Sequence, residues 1–202
     1  MNDKHDKRFP ADKAARLDKP KRLIEQPPAH VVDALELAPD TSVLDLGVGT
    51  GFFALPIARR LQEMDGYGRV YAADVEPRML SIVRERADEQ GLGARVEEAL
   101  IDEETGCMPL GDGTVDRALL VNVWHELPDR PAALAELRRV LGPECMLLVI
   151  DWPLEEERVV GPPLDHRVAL ETTLEEIEAA GFVEVEEIEV FEKLYAVRAV
   201  AP

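Results

Sequence analysis

Val43-Leu44-Asp45-Leu46-Gly47-Val48-Gly49-Thr50-Gly51 is the stretch that decides the fold. A short, mostly apolar run ends in three glycines at alternate positions. Ala54, Ile57, Ala58 and Leu61 then recur at helical spacing. Glycine permits positive φ and lets backbone amides approach a ligand closely. The helix that follows aims its N-terminus, and its partial positive charge, at the same turn. Strand, glycine turn and helix form the opening unit of a parallel sheet, where ligands bind outside the carboxyl ends of the strands. A glycine-rich tight turn with no ligand would show the same local pattern.

The alternation continues outward from this unit. Apolar runs at Ser42–Leu46, Arg69–Ala73, Val115–Val123 and Cys145–Ile150 suit parallel strands covered by helices on both sides, and Arg95–Leu100 adds a more polar one. A helix opens at Pro27-Pro28 with Val31, Val32, Ala34 and Leu35 as its apolar stripe. Pro56 predicts a small irregularity in the helix after the glycine turn. Pro77 opens a helix burying Met79, Leu80 and Val83 that stops near Gly91. Asp129 caps another carrying Leu134, Leu137 and Leu141, with Gly142 just beyond its end. Thr172-x-x-Glu175 reads as a capping box for a fourth, ending at Gly181. Phe182–Phe191 and Lys193–Val200 leave no room for a crossover, so they pair antiparallel. A phase slip from Val183 and Val185 to Ile188 and Val190 predicts a β-bulge near Glu186-Glu187. The expected fold is α/β, doubly wound and Rossmann-like, with seven strands. The expected organisation is an N-terminal arm over 1–27 and a single domain over 28–202.

Composition narrows the function classes. The 202 residues are 46% hydrophobic, ordinary for a globular chain, and no apolar stretch is long enough to span a bilayer. The charged start, Met1 to Arg8, lacks the apolar run of a signal peptide. Cys107 and Cys145 lie far apart without metal-ligand spacing, so no metal site is expected and the chain reads as cytoplasmic. With 23 Lys and Arg against 41 Asp and Glu, the net charge of -18 argues against nucleic acid or an anionic membrane surface as partner.

Asp74 closes the second strand, where a carboxylate can accept both hydroxyls of a ribose. Glycine turn plus acid points to an adenosine-containing cofactor without saying which. The dinucleotide fingerprint G-x-G-x-x-G cradles a pyrophosphate, whereas the spacing here is G-x-G-x-G and Asp45 precedes it. An acid beside a pyrophosphate is repelled; beside the ammonium and sulfonium of S-adenosylmethionine it is attracted. No G-x-x-x-x-G-K-[ST] run exists.

Over residues 40–150 the chain resembles the class I S-adenosylmethionine-dependent methyltransferases, in particular the small-molecule branch that includes quinone-biosynthesis C-methyltransferases. Val43–Gly51 is similar to that family's first motif and Tyr71–Leu80 to its second. Leu110–Asp116, Asn122–Leu127 and Leu137–Leu141 resemble the segments around its fourth strand and before its fifth. The resemblance implies S-adenosylmethionine as cofactor and a strand order of 3-2-1-4-5-7-6 with strand seven antiparallel. It implies that Asp74 takes the ribose, Val75 flanks the adenine, and Gly47, Gly49 and Gly51 form the cofactor turn. Asn122 then lines the methionine end with Asp45, and Arg22 with Glu25 either folds over it or forms a surface charge pair on the arm. The chain departs from the family after strand three, where Ala99–Gly106 lacks the usual Gly-Asp pair. Asp102, with Glu103 in reserve, is the candidate for the adenine amino group.

Methyl transfer mainly requires alignment and exclusion of water, with a base only where the acceptor must lose a proton. His125 is the candidate catalytic base, against the alternative of a helix-entry histidine bonded to backbone. Asp151, Asp165 and His166 are further candidates. Trp124 is a stacking platform or a core residue, and Arg167 an anion-holding or a loop-stiffening one. The expected partner is a small-molecule methyl acceptor of unspecified identity. Oligomeric state stays open, a homodimer included. Two alternatives remain: a cofactor-binding scaffold without catalysis, and a nicotinamide-dependent oxidoreductase.

Overall fold

The structure, a computed structural model, describes residues 18–154 and 161–202. The first seventeen residues of the expected arm lie outside the described residues. Seven strands, β1 (Ser42–Leu46), β2 (Arg69–Asp74), β3 (Val96–Leu100), β4 (Val115–Val121), β5 (Leu141–Asp151), β6 (Val183–Phe191) and β7 (Leu194–Val200), make one sheet ordered β3-β2-β1-β4-β5-β7-β6. β1 to β5 pair in parallel, and β7 runs antiparallel to both β5 and β6. Strand order and direction agree with the expectation.

Alternation along each strand divides the core into two layers. Val43, Val70, Leu119 and Leu148 face one layer with Ile57, Leu61 and Val83 from α3 (Ala54–Glu63) and α4 (Pro77–Glu89). Leu44, Ala73, Leu120 and Leu147 face the other, with Leu134, Leu137 and Ile177 from α5 (Arg130–Val140) and α6 (Leu170–Ala179). Two short helices precede the sheet, α1 (Pro20–Glu25) and α2 (Pro28–Ala34). α2 seats Val31 in the first layer, whereas α1 buries no residue fully and lies within the stretch read as an arm.

Several local expectations need correction. α3 runs unbroken past Pro56, which falls in its first turn, where proline is tolerated. α5 is capped by Asp129, whose side chain accepts from the Ala132 amide at 2.9 Å. It ends at Val140, however, and Leu141 and Gly142 already belong to β5, Leu141 pairing with Val115. The register then slips by several residues, with Glu144 at positive φ, so Pro143-Glu144-Cys145 sits in an irregular stretch of the strand. α6 begins at Leu170, ahead of the expected Thr172 cap. Packing sets that start, because Leu170, Leu174 and Ile177 face the second layer together. β4 stops at Val121, since Asn122 adopts φ 60°. β6 shifts register against β7 twice, between Val183 and Glu186, where Glu184 has φ 52°, and between Ile188 and Phe191, on either side of the expected Glu186-Glu187.

Candidate active site

Strand order reverses between β1 and β4, and their carboxyl ends open the crevice where open α/β sheets bind ligands. Gly47, Gly49 and Gly51 line it at φ 73°, 53° and 81°. The Gly47 and Val48 amides both donate to the Ala73 carbonyl, at 2.8 and 3.0 Å, pinning the turn to β2. A Cβ on Gly47 would overlap the Val123 side chain. Gly47→Ala is therefore expected to cost about 2–4 kcal/mol, from the left-handed backbone and the overpacking together. Urea denaturation measures it, with Val123→Ala in the same background restoring part; an unchanged midpoint contradicts this packing.

Asp74 stands at the rim of the turn. Its Oδ2 accepts from the Gly49 amide at 3.1 Å and its Oδ1 from the Glu76 amide at 3.0 Å. Burial pushes its carboxyl above the usual range, opposed by backbone donors from Glu76, Gly49 and Val75. Each oxygen keeps lone pairs for a further donor, such as a ribose hydroxyl. Val75 packs, half-buried, against the second layer. The Ile101 amide donates to the Asp74 carbonyl at 3.0 Å, so the loop after β3 starts beside this acid. Asp102 is exposed there, and its Oδ1 accepts from the Glu104 amide, the Thr105 amide and the Thr105 hydroxyl. Those bonds hold its carboxyl low and commit that oxygen to its own turn. Glu103 is exposed on the same turn.

The other side of the crevice is more deeply buried. Asp45 is 3% exposed, and its Oδ2 meets no donor among the described residues. Burial lifts its carboxyl to about 7, against the pull of Arg22 and with a further push from Asp74. The Asn122 Oδ1 is likewise buried without a donor among the described residues. Its Nδ2 donates to the Gln26 Oε1 at 3.1 Å, and the same oxygen accepts from the Arg22 Nε at 3.1 Å. Arg22 lies over the Phe52 ring, 4.2 Å from its centroid, and burial lowers it to about 10, opposed by Asp45 and Asp18. Glu25 does not join this group: it pairs with Lys193 at 2.8 Å and Lys21 at 3.6 Å. Two buried oxygens lacking donors, at the ends of β1 and β4, suit a ligand carrying cationic groups. A pyrophosphate would set its charge against Asp45. The residues present fit S-adenosylmethionine.

His125 follows β4 and Asp151 ends β5, adjacent parallel strands with Val121 opposite Ile150. The structure joins them: His125 Nδ1 lies 2.8 and 3.0 Å from the two Asp151 carboxylate oxygens. The His125 and Trp152 amides also donate to that carboxylate, at 2.9 and 2.7 Å. Nδ1 thus carries a proton, and Nε2, 3.7 Å from Glu126 Oε1, is the basic nitrogen. Trp124 is fully buried in the second layer, a core residue rather than a platform. Arg167 is buried and donates to the Pro162 and Pro153 carbonyls at 2.9 and 3.2 Å. Asp165 and His166 sit on a short turn there, Asp165 exposed.

Sequence reasoning missed Asp18, Gln26 and Arg86. The Thr50 hydroxyl donates to Asp18 at 2.8 Å, and Arg86 grips Asp18 at 2.7 and 3.1 Å and the Thr50 carbonyl at 3.0 Å. The available signal was the four-residue spacing of Arg22 and Gln26 along α1 and its end, whereas Asp18 lies ahead of the helix.

Residues 43–144 match the methyltransferase domain family. The demethylmenaquinone methyltransferase of Thermus thermophilus is 37% identical over 120 residues, 59% of this chain and 50% of that protein. The 2-phytyl-1,4-naphtoquinone methyltransferase of Trichormus variabilis is 30% identical over 114 residues, 56% of this chain and 48% of that protein. The chain spans about half the length of the curated relatives it matches. A solved S-adenosylmethionine-dependent methyltransferase from Aquifex aeolicus superimposes with a TM-score of 0.84 at 32% identity, covering 96% of this chain and all of that one. Nothing among these relatives supports the nicotinamide alternative. The alternate-glycine turn, the acid ahead of it and a fold shared over nearly the whole chain have one common source: the chain belongs to the methyltransferase domain family, among its class I S-adenosylmethionine-dependent members.

Proposed function

We propose that the protein transfers the methyl group of S-adenosylmethionine to a small, flat, quinone-like acceptor. The observation that carries the donor half is the pair of buried oxygens without a donor among the described residues, Asp45 Oδ2 and Asn122 Oδ1, on the deeply buried side of the crevice. Asp45, Asn122 and Arg22 hold the methionine end; Gly47, Gly49 and Gly51 bring backbone close to it. Asp74 takes the ribose, Val75 flanks the adenine, and Asp102 or Glu103 meets its amino group. When bound, the cofactor supplies a methyl carbon activated by a sulfonium. His125 Nε2 takes the proton from an acceptor hydroxyl, while Asp151 keeps Nδ1 protonated and the ring aligned. The acceptor class rests on the quinone chemistry named in two relatives. We assign one catalytic domain over 28–202, a cytoplasmic setting and no nucleic-acid partner. Among the described residues no helix is long and apolar enough to cross a membrane.

Asp74→Ala is expected to weaken cofactor binding by about 1–3 kcal/mol, roughly five- to 150-fold. Calorimetry checks it; an unchanged affinity refutes the ribose role. The acceptor half is tested by incubating enzyme and S-adenosylmethionine with hydroquinones, phenols and amines, and weighing the products. A gain of one methylene confined to the ring hydroxyl compounds is expected. Transfer to amines alone overturns the acceptor class.

A further inference from the structure

The chain has two tryptophans, Trp124 and Trp152. Trp124 is fully buried in the second layer and meets no ligand. Trp152 differs. It follows Asp151 directly at the end of β5, and its side chain packs, half-buried, on the first layer with Ile150 two residues before it. Its amide is tied to Asp151 Oδ1 at 2.7 Å. Gly161, at φ 104°, lies against the fused edge of the indole: a Cβ there would come within 2.7 Å of Cδ2 and 2.8 Å of Cε3, so backbone alone fits. The buried Arg167 guanidinium lies 5.8 Å from the ring centroid, within cation–π range. The indole is thus held at a set place with part of its surface left open.

That place is fixed relative to the reacting groups. An acceptor must present its hydroxyl to His125 Nε2 and its attacking atom to the methyl carbon, at the methionine end beside Asn122. The Asn122 amide donates to the Ile150 carbonyl at 2.9 Å, and His125 Nδ1 lies 2.8 Å from Asp151 Oδ1. Both groups therefore border the two residues immediately ahead of Trp152. The other side chains at this corner are a carboxylate, an amide and an imidazole, which orient a ligand but bury little apolar area. Aromatic rings prefer offset stacking and gain from it beyond the area they bury. We propose that Trp152 is the wall on which a flat aromatic acceptor stacks, and so the residue that selects ring compounds. This role rests on the acceptor class proposed above and names the side chain that recognises it.

The test is calorimetric titration of the S-adenosylhomocysteine-saturated protein with 1,4-dihydroxynaphthalene under argon. Saturable binding is expected, and Trp152→Ala should weaken it at least about tenfold, whereas Trp152→Phe, which keeps a ring, should stay within about threefold of wild type. Affinity for S-adenosylhomocysteine should be unchanged in both variants. In Trp124→Phe, where Trp152 is the remaining tryptophan, the bound ring should quench its fluorescence saturably. Unchanged affinity for the diol in Trp152→Ala overturns the wall and leaves the acceptor class standing. An equal loss of S-adenosylhomocysteine affinity in that variant makes Trp152 a packing residue and overturns the wall too, as does bound diol without quenching. No binding of the diol to wild type at millimolar concentration overturns wall and acceptor class together. Diol binding that disappears with the indole, in an enzyme that methylates amines alone, supports the wall and contradicts the acceptor class.

Discussion

Asp45→Asn is expected to weaken S-adenosylmethionine binding about a hundredfold while making the cofactor-free protein more stable. The first effect follows from removing the buried charge opposite a cationic ligand, in a site where water cannot substitute. The second follows from burial, which lifts the Asp45 carboxyl to about 7 in the folded state, against about 3.9 in the unfolded chain. Between those values the unfolded chain has lost a proton that the folded protein keeps. Stability therefore falls as pH rises from about 4 to about 7, and the cost stays in full above that. Asparagine removes this cost but also leaves Arg22 without its buried counter-charge, so the net gain at pH 8 is about 1–3 kcal/mol. Urea denaturation and calorimetry on one preparation read both effects. Wild-type affinity should also rise from about pH 6 toward 7.5 as Asp45 ionises, with no such rise in the variant. A variant that is less stable at pH 8 and binds the cofactor as wild type does would show that Asp45 serves packing instead.

His125→Ala should lower kcat by about a hundred- to ten-thousandfold, the usual range for losing a positioned base. The Michaelis constant for S-adenosylmethionine should hardly move, because the imidazole is assigned no bond to the cofactor. Asp151→Asn should lower kcat as well, since the amide can present an N–H to Nδ1 and release the ring from its tautomer. The competing role is structural. The Asp151 carboxylate also takes the His125 and Trp152 amides, which pins the end of β4 to the end of β5. A drop in unfolding midpoint with kcat unchanged in His125→Gln would assign the pair to that clip. Equal midpoints with a collapsed kcat would assign it to proton transfer.

The parallel part of the fold was legible because its strands are covered on both faces, so Ser42–Leu46 reads as an unbroken run bounded by a turn that glycine must make. The hairpin was legible from the lack of room between Phe191 and Leu194 for any crossover. The start of β5 was not, since Leu141 continues the helical spacing of Leu134 and Leu137 and only pairing with Val115 pulls it into the sheet. α6 hid its start similarly, with a capping-box spacing at Thr172 overridden by the packing of Leu170. In the site, Asp45 and Asp74 could be placed because each ends a strand next to a recognisable turn. The His125–Asp151 pair could not, since it depends on β4 and β5 lying side by side across 26 residues of sequence. Arg22 was suspected, but Gln26, which ties it to Asn122, carries no signal beyond its helical spacing.

The central claim, that this crevice holds a sulfonium cofactor, is tested most directly by titrating the protein calorimetrically with S-adenosylmethionine, S-adenosylhomocysteine and NAD. The geometry predicts saturable micromolar binding of both adenosyl compounds, loss of most of it in Asp45→Asn, and no heat from NAD. Failure of both adenosyl compounds to bind at high micromolar concentration, or preferential binding of NAD, would contradict it.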